Sequence, residues 1–76
     1  MRIAVEARSG VVESFDRTKG YGYILMEDGE RALLHITCLR AGGYRRADIG
    51  ASVEFQAIRR RNRGWQAFRI LSLALR

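Results

Sequence analysis

The stretch Lys19-Gly20-Tyr21-Gly22-Tyr23-Ile24 holds the residue types best suited to chemistry, and that chemistry is recognition rather than bond-making. Successive side chains of a strand point to opposite faces, so Tyr21 and Tyr23 share one face while Gly20, Gly22 and Ile24 share the other. Two glycines inside one strand signal curvature or close backbone approach. Paired rings with a cation beside them give unpaired bases a stacking surface and a phosphate a counter-charge. The same spacing also suits two half-buried strand aromatics, which β propensity alone favours.

No competing chemistry stands out. The sequence has one histidine, His35, and one cysteine, Cys38. They leave no set of nucleophile, base and orienting group, and no clustered metal ligands, so neither an enzyme nor a cofactor or metal is expected. Glu27, Asp28 and Glu30 surround a turn, where solvent-facing acids belong. A lone cysteine cannot form an internal disulfide and suits a reducing cytosol. No segment approaches the roughly 20 apolar residues of a membrane span, and no signal-peptide stretch opens the chain. A cytoplasmic location is expected.

The elements that must position the motif are short strands. At 76 residues and 47% hydrophobic composition the chain makes one small domain. Residues 1–9 alternate weakly and read as an edge extension, a linker remnant or a disordered start. Gly10 to Phe15 reads as a first strand and Tyr21 to Met26 as a second. Asp28-Gly29 is a strong hairpin signal. Arg31 to Ile36 is a third strand, with Leu33 and His35 on one face and Ala32, Leu34 and Ile36 on the other. Thr37 to Gly50 is a longer crossing with room for one helical turn near Cys38-Leu39-Arg40. Ala51 to Arg60, with Val53, Phe55 and Ala57 on one face, is a fourth strand. Trp65 to Leu73 is a fifth, placing Ala67 with Trp65 and Phe68 with Ile70 on the opposite face; residues 74–76 form a tail. Five antiparallel strands in this length predict an all-β fold, a small closed barrel of OB type, with an SH3-like barrel as the rival.

Charge is distributed unevenly. The net charge is +6, yet residues 1–55 carry eight basic and eight acidic side chains. The excess therefore lies in Arg59, Arg60, Arg61, Arg63, Arg69 and Arg76, with no acid after Glu54. A polyanionic partner is favoured.

With these residues in place the chain resembles the cold-shock domain family. The family's first nucleic-acid motif, Lys-Gly-Phe-Gly-Phe-Ile, corresponds to Lys19–Ile24, and its second corresponds to Ala32-Leu33-Leu34-His35-Ile36. The similarity continues through Asp28-Gly29, Gly43-Tyr44, Gly50-x-x-Val53-x-Phe55 and Arg63-Gly64-Trp65-Gln66-Ala67, covering about residues 10–73. The resemblance implies a five-stranded antiparallel OB barrel that binds single-stranded RNA or DNA without catalysis, as an RNA chaperone or a regulator of gene expression. It implies stacking on Tyr21 and Tyr23, a stacking or hydrogen-bonding role for His35, and phosphate contact for Lys19. Phe15 is divided between barrel core and binding rim. Tyr44 either takes a further base or pins its own loop. Arg63, with Arg60 and Arg61, meets the backbone.

The departures matter as much. Family members have Lys-Trp-Phe-Asn where this chain has Glu13-Ser14-Phe15-Asp16, and two aromatics of the second motif are replaced by Leu33 and Ile36. Each lost ring removes about 1–3 kcal/mol of base stacking. In compensation, the connection after the fourth strand is arginine-rich and one residue longer. Trp65 replaces a usual proline, and it either supplies a ring near the platform edge or plugs a barrel end. The expectation is a site shifted from stacking towards phosphate contact. The alternative is a domain repurposed for a protein partner, a second domain or the ribosome.

Overall fold

The apolar alternation is realised as five strands and one short helix in a computed structural model that describes residues 4–62 and 64–74. They are β1 (Val5–Asp16), β2 (Tyr21–Met26), β3 (Arg31–His35), α1 (Ile36–Ala41), β4 (Ser52–Arg60) and β5 (Gly64–Leu73). The strands close into a barrel in the order β1-β2-β3-β5-β4, with β4 pairing back onto β1. Closure gives each strand two neighbours among the described residues. The barrel is not wholly antiparallel: β3 meets β5 in parallel, with Ala32 opposite Trp65 and Leu33 opposite Gln66. That seam is possible because a helix and a long loop, rather than a hairpin, separate β3 from β4 and reverse the chain direction.

β1 begins at Val5, and its first half, Val5 to Val11, pairs with β4 before the second half pairs with β2. One long strand thus serves two neighbours. Gly10 lies at the changeover, pairing with both Met26 and Val53.

Inward side chains form one core. Ile24, Ala32, Leu34, Leu39, Ala51, Phe55 and Ala57 are fully buried, with Val12, Val53, Ala67 and Ile70 around them. The two glycines of the opening motif do different work. Gly22 lies within β2, where a Cβ would run into the backbone of Ser14 and Phe15, so β1 and β2 approach closely only because that atom is missing. Gly20 precedes the strand rather than lying inside it. It turns the chain at φ 81° and donates its N–H to the Asp16 carbonyl at 2.8 Å.

Two features depart from simple alternation. Ile36 opens α1 instead of extending β3. On β5, Ile70 joins Trp65 and Ala67 inside the barrel rather than sharing Phe68's face. The cause is a pair of register shifts against β4 that leave Phe68 and Leu71 as extra, outward residues. Each extra residue inverts the phase of everything after it.

Trp65 closes one end of the barrel. Its ring is 8% exposed, with the Arg8 and Arg59 guanidinium carbons 5.0 and 5.5 Å from its centroid. Its indole N–H donates to Glu30 Oε2 at 3.1 Å. Arg8 in turn binds Glu27 at 2.8 Å and Asp28 at 2.7 Å. The Glu27 carboxyl is held below its ordinary range by its own backbone amide and by Arg8, and that of Asp28 by the Glu30 amide and Arg8. Among the described residues, no helix is long and apolar enough to cross a membrane.

Candidate nucleic-acid interface

The outer faces of β2 and β3 form the candidate surface. Register places Tyr21 opposite His35, Tyr23 opposite Leu33 and Leu25 opposite Arg31. These three rows lie on the side away from the core, since Gly22, Ile24, Ala32 and Leu34 between them are buried. Tyr21 and Tyr23 are 37% and 39% exposed, a degree that leaves ring surface for a ligand while anchoring each base of the side chain. Their centroids are 6.3 Å apart and their planes 89° apart. A continuous flat stack over both therefore needs one ring to turn about χ2, a soft torsion.

His35 is fixed by the helix that follows it. It is the N-cap of α1: its Nδ1 accepts the Thr37 N–H at 3.2 Å and lies 2.8 Å from Thr37 Oγ1. In the neutral ring this leaves the proton on Nε2, a donor free to meet a base or a phosphate. Ile36 is half-buried; its N–H donates to the Gly20 carbonyl at 2.8 Å. It ties α1 to the turn before β2.

Lys19 stands at the Tyr21 end. Asp16 Oδ1 accepts the N–H groups of Thr18 and Lys19 at 2.9 and 3.0 Å, which shapes the turn and leaves the Lys19 side chain exposed. Lys19 borders a shallow depression of about 270 Å³ together with Ser14, Phe15, Tyr21, Tyr23 and Ile49. Phe15 is partly buried against the core and also lines this depression, so it serves both sides. Ile49 is 71% exposed. Nothing in its local sequence marks it; only the path of the long loop brings it beside Ser14 and Tyr23.

Arg60 and Arg61 are exposed on the β4–β5 hairpin, and Arg63 lies outside the described residues. The pairing chain from Arg59 to Trp65 to Ala32 places this hairpin by the start of β3. The arginines thus flank the Arg31 end of the surface, and Lys19 flanks the other. From Tyr21 to Leu25 is about 13 Å at strand spacing, so a short single strand could span the cations.

Tyr44 and Trp65 are not brought to these rows. Tyr44 is half-buried against the core, with its ring beside Gly42. Its backbone N–H donates to the Leu39 carbonyl at 3.1 Å, so the residue pins its own loop in this arrangement. Trp65, one of whose expected uses was as a ring at the platform edge, is instead enclosed between Arg8 and Arg59. It fills the barrel end because its position on β5 points inward, opposite Ala32.

A further pair was not foreseen. Arg31 on β3 grips Glu13 on β1 in a two-pronged ion pair, Nε to Oε1 at 2.5 Å and Nη2 to Oε2 at 2.9 Å. It reaches across β2 because Glu13 is the extra residue at a β1 bulge. Arg31 holds the Glu13 carboxyl below the usual carboxylate range. The Glu13 carboxylate is thereby neutralised by a partner. Glu27 and Asp28 are bound by Arg8 and Glu30 is engaged by Trp65, while Asp16, opposite Tyr21 and on the rim of the depression, accepts backbone N–H groups of its own turn. Lys19, Arg60 and Arg61 extend into solvent.

Comparison with known proteins bears on this surface. The family description 'Cold-shock' DNA-binding domain matches residues 8–73. Cold shock protein CspD of Bacillus subtilis is 33% identical over 66 residues, covering 87% of this chain and 98% of the relative. Cold shock-like protein CspLB of Listeria monocytogenes has the same identity and coverage. Cold shock protein CspB of Geobacillus stearothermophilus is 34% identical over 64 residues, 84% of this chain and 96% of the relative.

Proposed function

The chain belongs to the cold-shock DNA-binding domain family, and from that premise we propose that it holds single-stranded RNA or DNA along β2 and β3. It is a nucleic-acid-binding domain and not an enzyme. Bases stack on Tyr21 and Tyr23 and meet His35, while Lys19 at one end and Arg60 and Arg61 at the other take phosphates. The observation that carries this reading is the outward row of Tyr21, His35, Tyr23 and Leu33 between two exposed cationic ends. Leu33 offers an apolar floor but no ring, so stacking is thinner than in a platform with aromatics on both strands.

Such a surface favours unpaired over paired strands, because a duplex buries the base faces on which stacking depends. Binding only the open form shifts weak hairpins towards the open form by mass action. That is the physical content of an RNA chaperone or expression regulator, the role we assign.

The test separates phosphate contact from stacking. Arg60→Gln with Arg61→Gln should flatten the dependence of log affinity on log salt by about 1.4, at about 0.7 per single-strand phosphate. The variant and the parent should converge in affinity as salt rises. An unchanged slope in fluorescence anisotropy of a labelled oligonucleotide would remove the arginines from the site.

A further inference from the structure

Phe68 is the most exposed aromatic ring of the described residues, at 55%, and the platform does not use it. It points outward by alternation from Trp65 and Ala67, and the register shift between Gln56 and Ala57 makes it an extra residue of β5. A single exposed ring is ordinary on a protein surface; the surroundings of this one are more specific. It lines a depression of about 330 Å³ with Cys38, Ala41, Gly42, Arg69 and Ile70. Arg69 follows it on β5 and Arg40 lies in the last turn of α1, both exposed. Neither α1 nor residues 56–74 contain an acid.

The depression neighbours the platform through α1 and the β3–β5 seam. The parallel seam sets Leu33 opposite Gln66. Phe68 lies two residues beyond Gln66 on β5, and His35 two residues beyond Leu33 on β3. Cys38 and Ala41, which wall the depression, belong to the helix that His35 caps.

Resting on the single-strand reading above, we infer that this depression holds one further base of the bound strand, stacked on Phe68 with its phosphate in the field of Arg69 and Arg40. A nucleotide matches both features at once, a flat apolar face and an anion. A purely apolar partner would gain nothing from the arginines. The strand would thus leave the Tyr21–His35 row and cross the β3–β5 seam.

Oligonucleotide length separates this subsite from the platform. Wild type, Phe68→Ala and Phe68→Trp are titrated with a labelled tetranucleotide and a labelled octanucleotide, with melting curves as a control on the fold. The octanucleotide should bind wild type more tightly than the tetranucleotide does. Phe68→Ala should weaken the octanucleotide by at least about fivefold, the lower end of one base's stacking. It should leave the tetranucleotide within about twofold, and Phe68→Trp should restore the difference. If both lengths bind and Phe68→Ala changes neither, or weakens both equally, the inference is overturned while the platform stands. If wild type binds neither length, the single-strand reading fails and takes this subsite with it.

Discussion

Replacing Tyr21 and Tyr23 together with alanine is expected to weaken single-strand binding by about 2–6 kcal/mol, the loss of two stacked rings at about 1–3 kcal/mol each. In affinity this is roughly thirtyfold to twenty-thousandfold. The fold should survive, because the inward side of β2 is supplied by Gly22, Ile24 and Met26, which remain. The truncation forfeits the edge-to-face contact of the two rings and their cross-strand pairs with His35 and Leu33 on β3 and Asp16 and Ser14 on β1, about 0.2–1 kcal/mol for each pair. The salt dependence should also remain, since no phosphate-contacting cation is removed. A double variant that keeps its affinity would leave the arginines as the whole explanation of binding and would end the stacking account.

Trp65→Ala should act in the opposite sense, on stability first. Emptying a buried indole typically costs about 3–5 kcal/mol, and small domains have only about 5–15 kcal/mol in total. The ring also carries the stacked Arg8 and Arg59 and receives Glu30 at its N–H, so its removal loosens three chain segments at once. Urea denaturation should show a large fall in midpoint. Trp65→Phe, which keeps an aromatic filler and loses only the N–H donor, should cost far less. Should Trp65→Ala unfold at nearly the wild-type midpoint and lose affinity instead, the tryptophan belongs to the ligand surface after all.

The contrast between these two sites shows where sequence reading works. Tyr21 and Tyr23 were legible because β2 is a strand without a bulge: period-two alternation fixes the faces, and Ile24 and Met26 fix which face is inside. Leu33 and His35 followed for the same reason, and Asp28-Gly29 marked the turn between the two strands. The outward side of Phe68 followed from alternation, but that Phe68, Leu71 and Glu13 are extra residues was not legible, and with it the burial of Ile70. Each is the extra residue at a register shift, and a bulge is decided by how two strands twist against each other rather than by either strand's own pattern. Trp65 was ambiguous for a different reason. Its burial depends on Arg8 and Glu30, which are distant in sequence and reach it only once the barrel has closed. The parallel β3–β5 seam shares that origin.

The charge pattern was half legible. Counting acids and bases located the excess in the last third of the chain, and Arg60 and Arg61 are indeed exposed there. Counting could not say that Glu13, Glu27 and Asp28 each have an arginine partner. That pairing uses Arg8 and Arg31 as well as the acids, so the cations left for a ligand are those that extend into solvent, Lys19, Arg60 and Arg61 among them.

The central claim is that an unpaired strand lies on the β2–β3 face with its bases on tyrosines and its phosphates on cations at both ends. Its most direct test is a titration of wild-type protein with a labelled single-stranded oligonucleotide, and with the matching duplex, from about 50 to 200 mM salt. The account predicts binding of the single strand in preference to the duplex. It also predicts a log–log salt slope of about −2, for phosphate contacts by Lys19, Arg60 and Arg61 at about −0.7 each. Folded protein that binds no single strand at about 50 mM salt, or that takes duplex equally well, would contradict it.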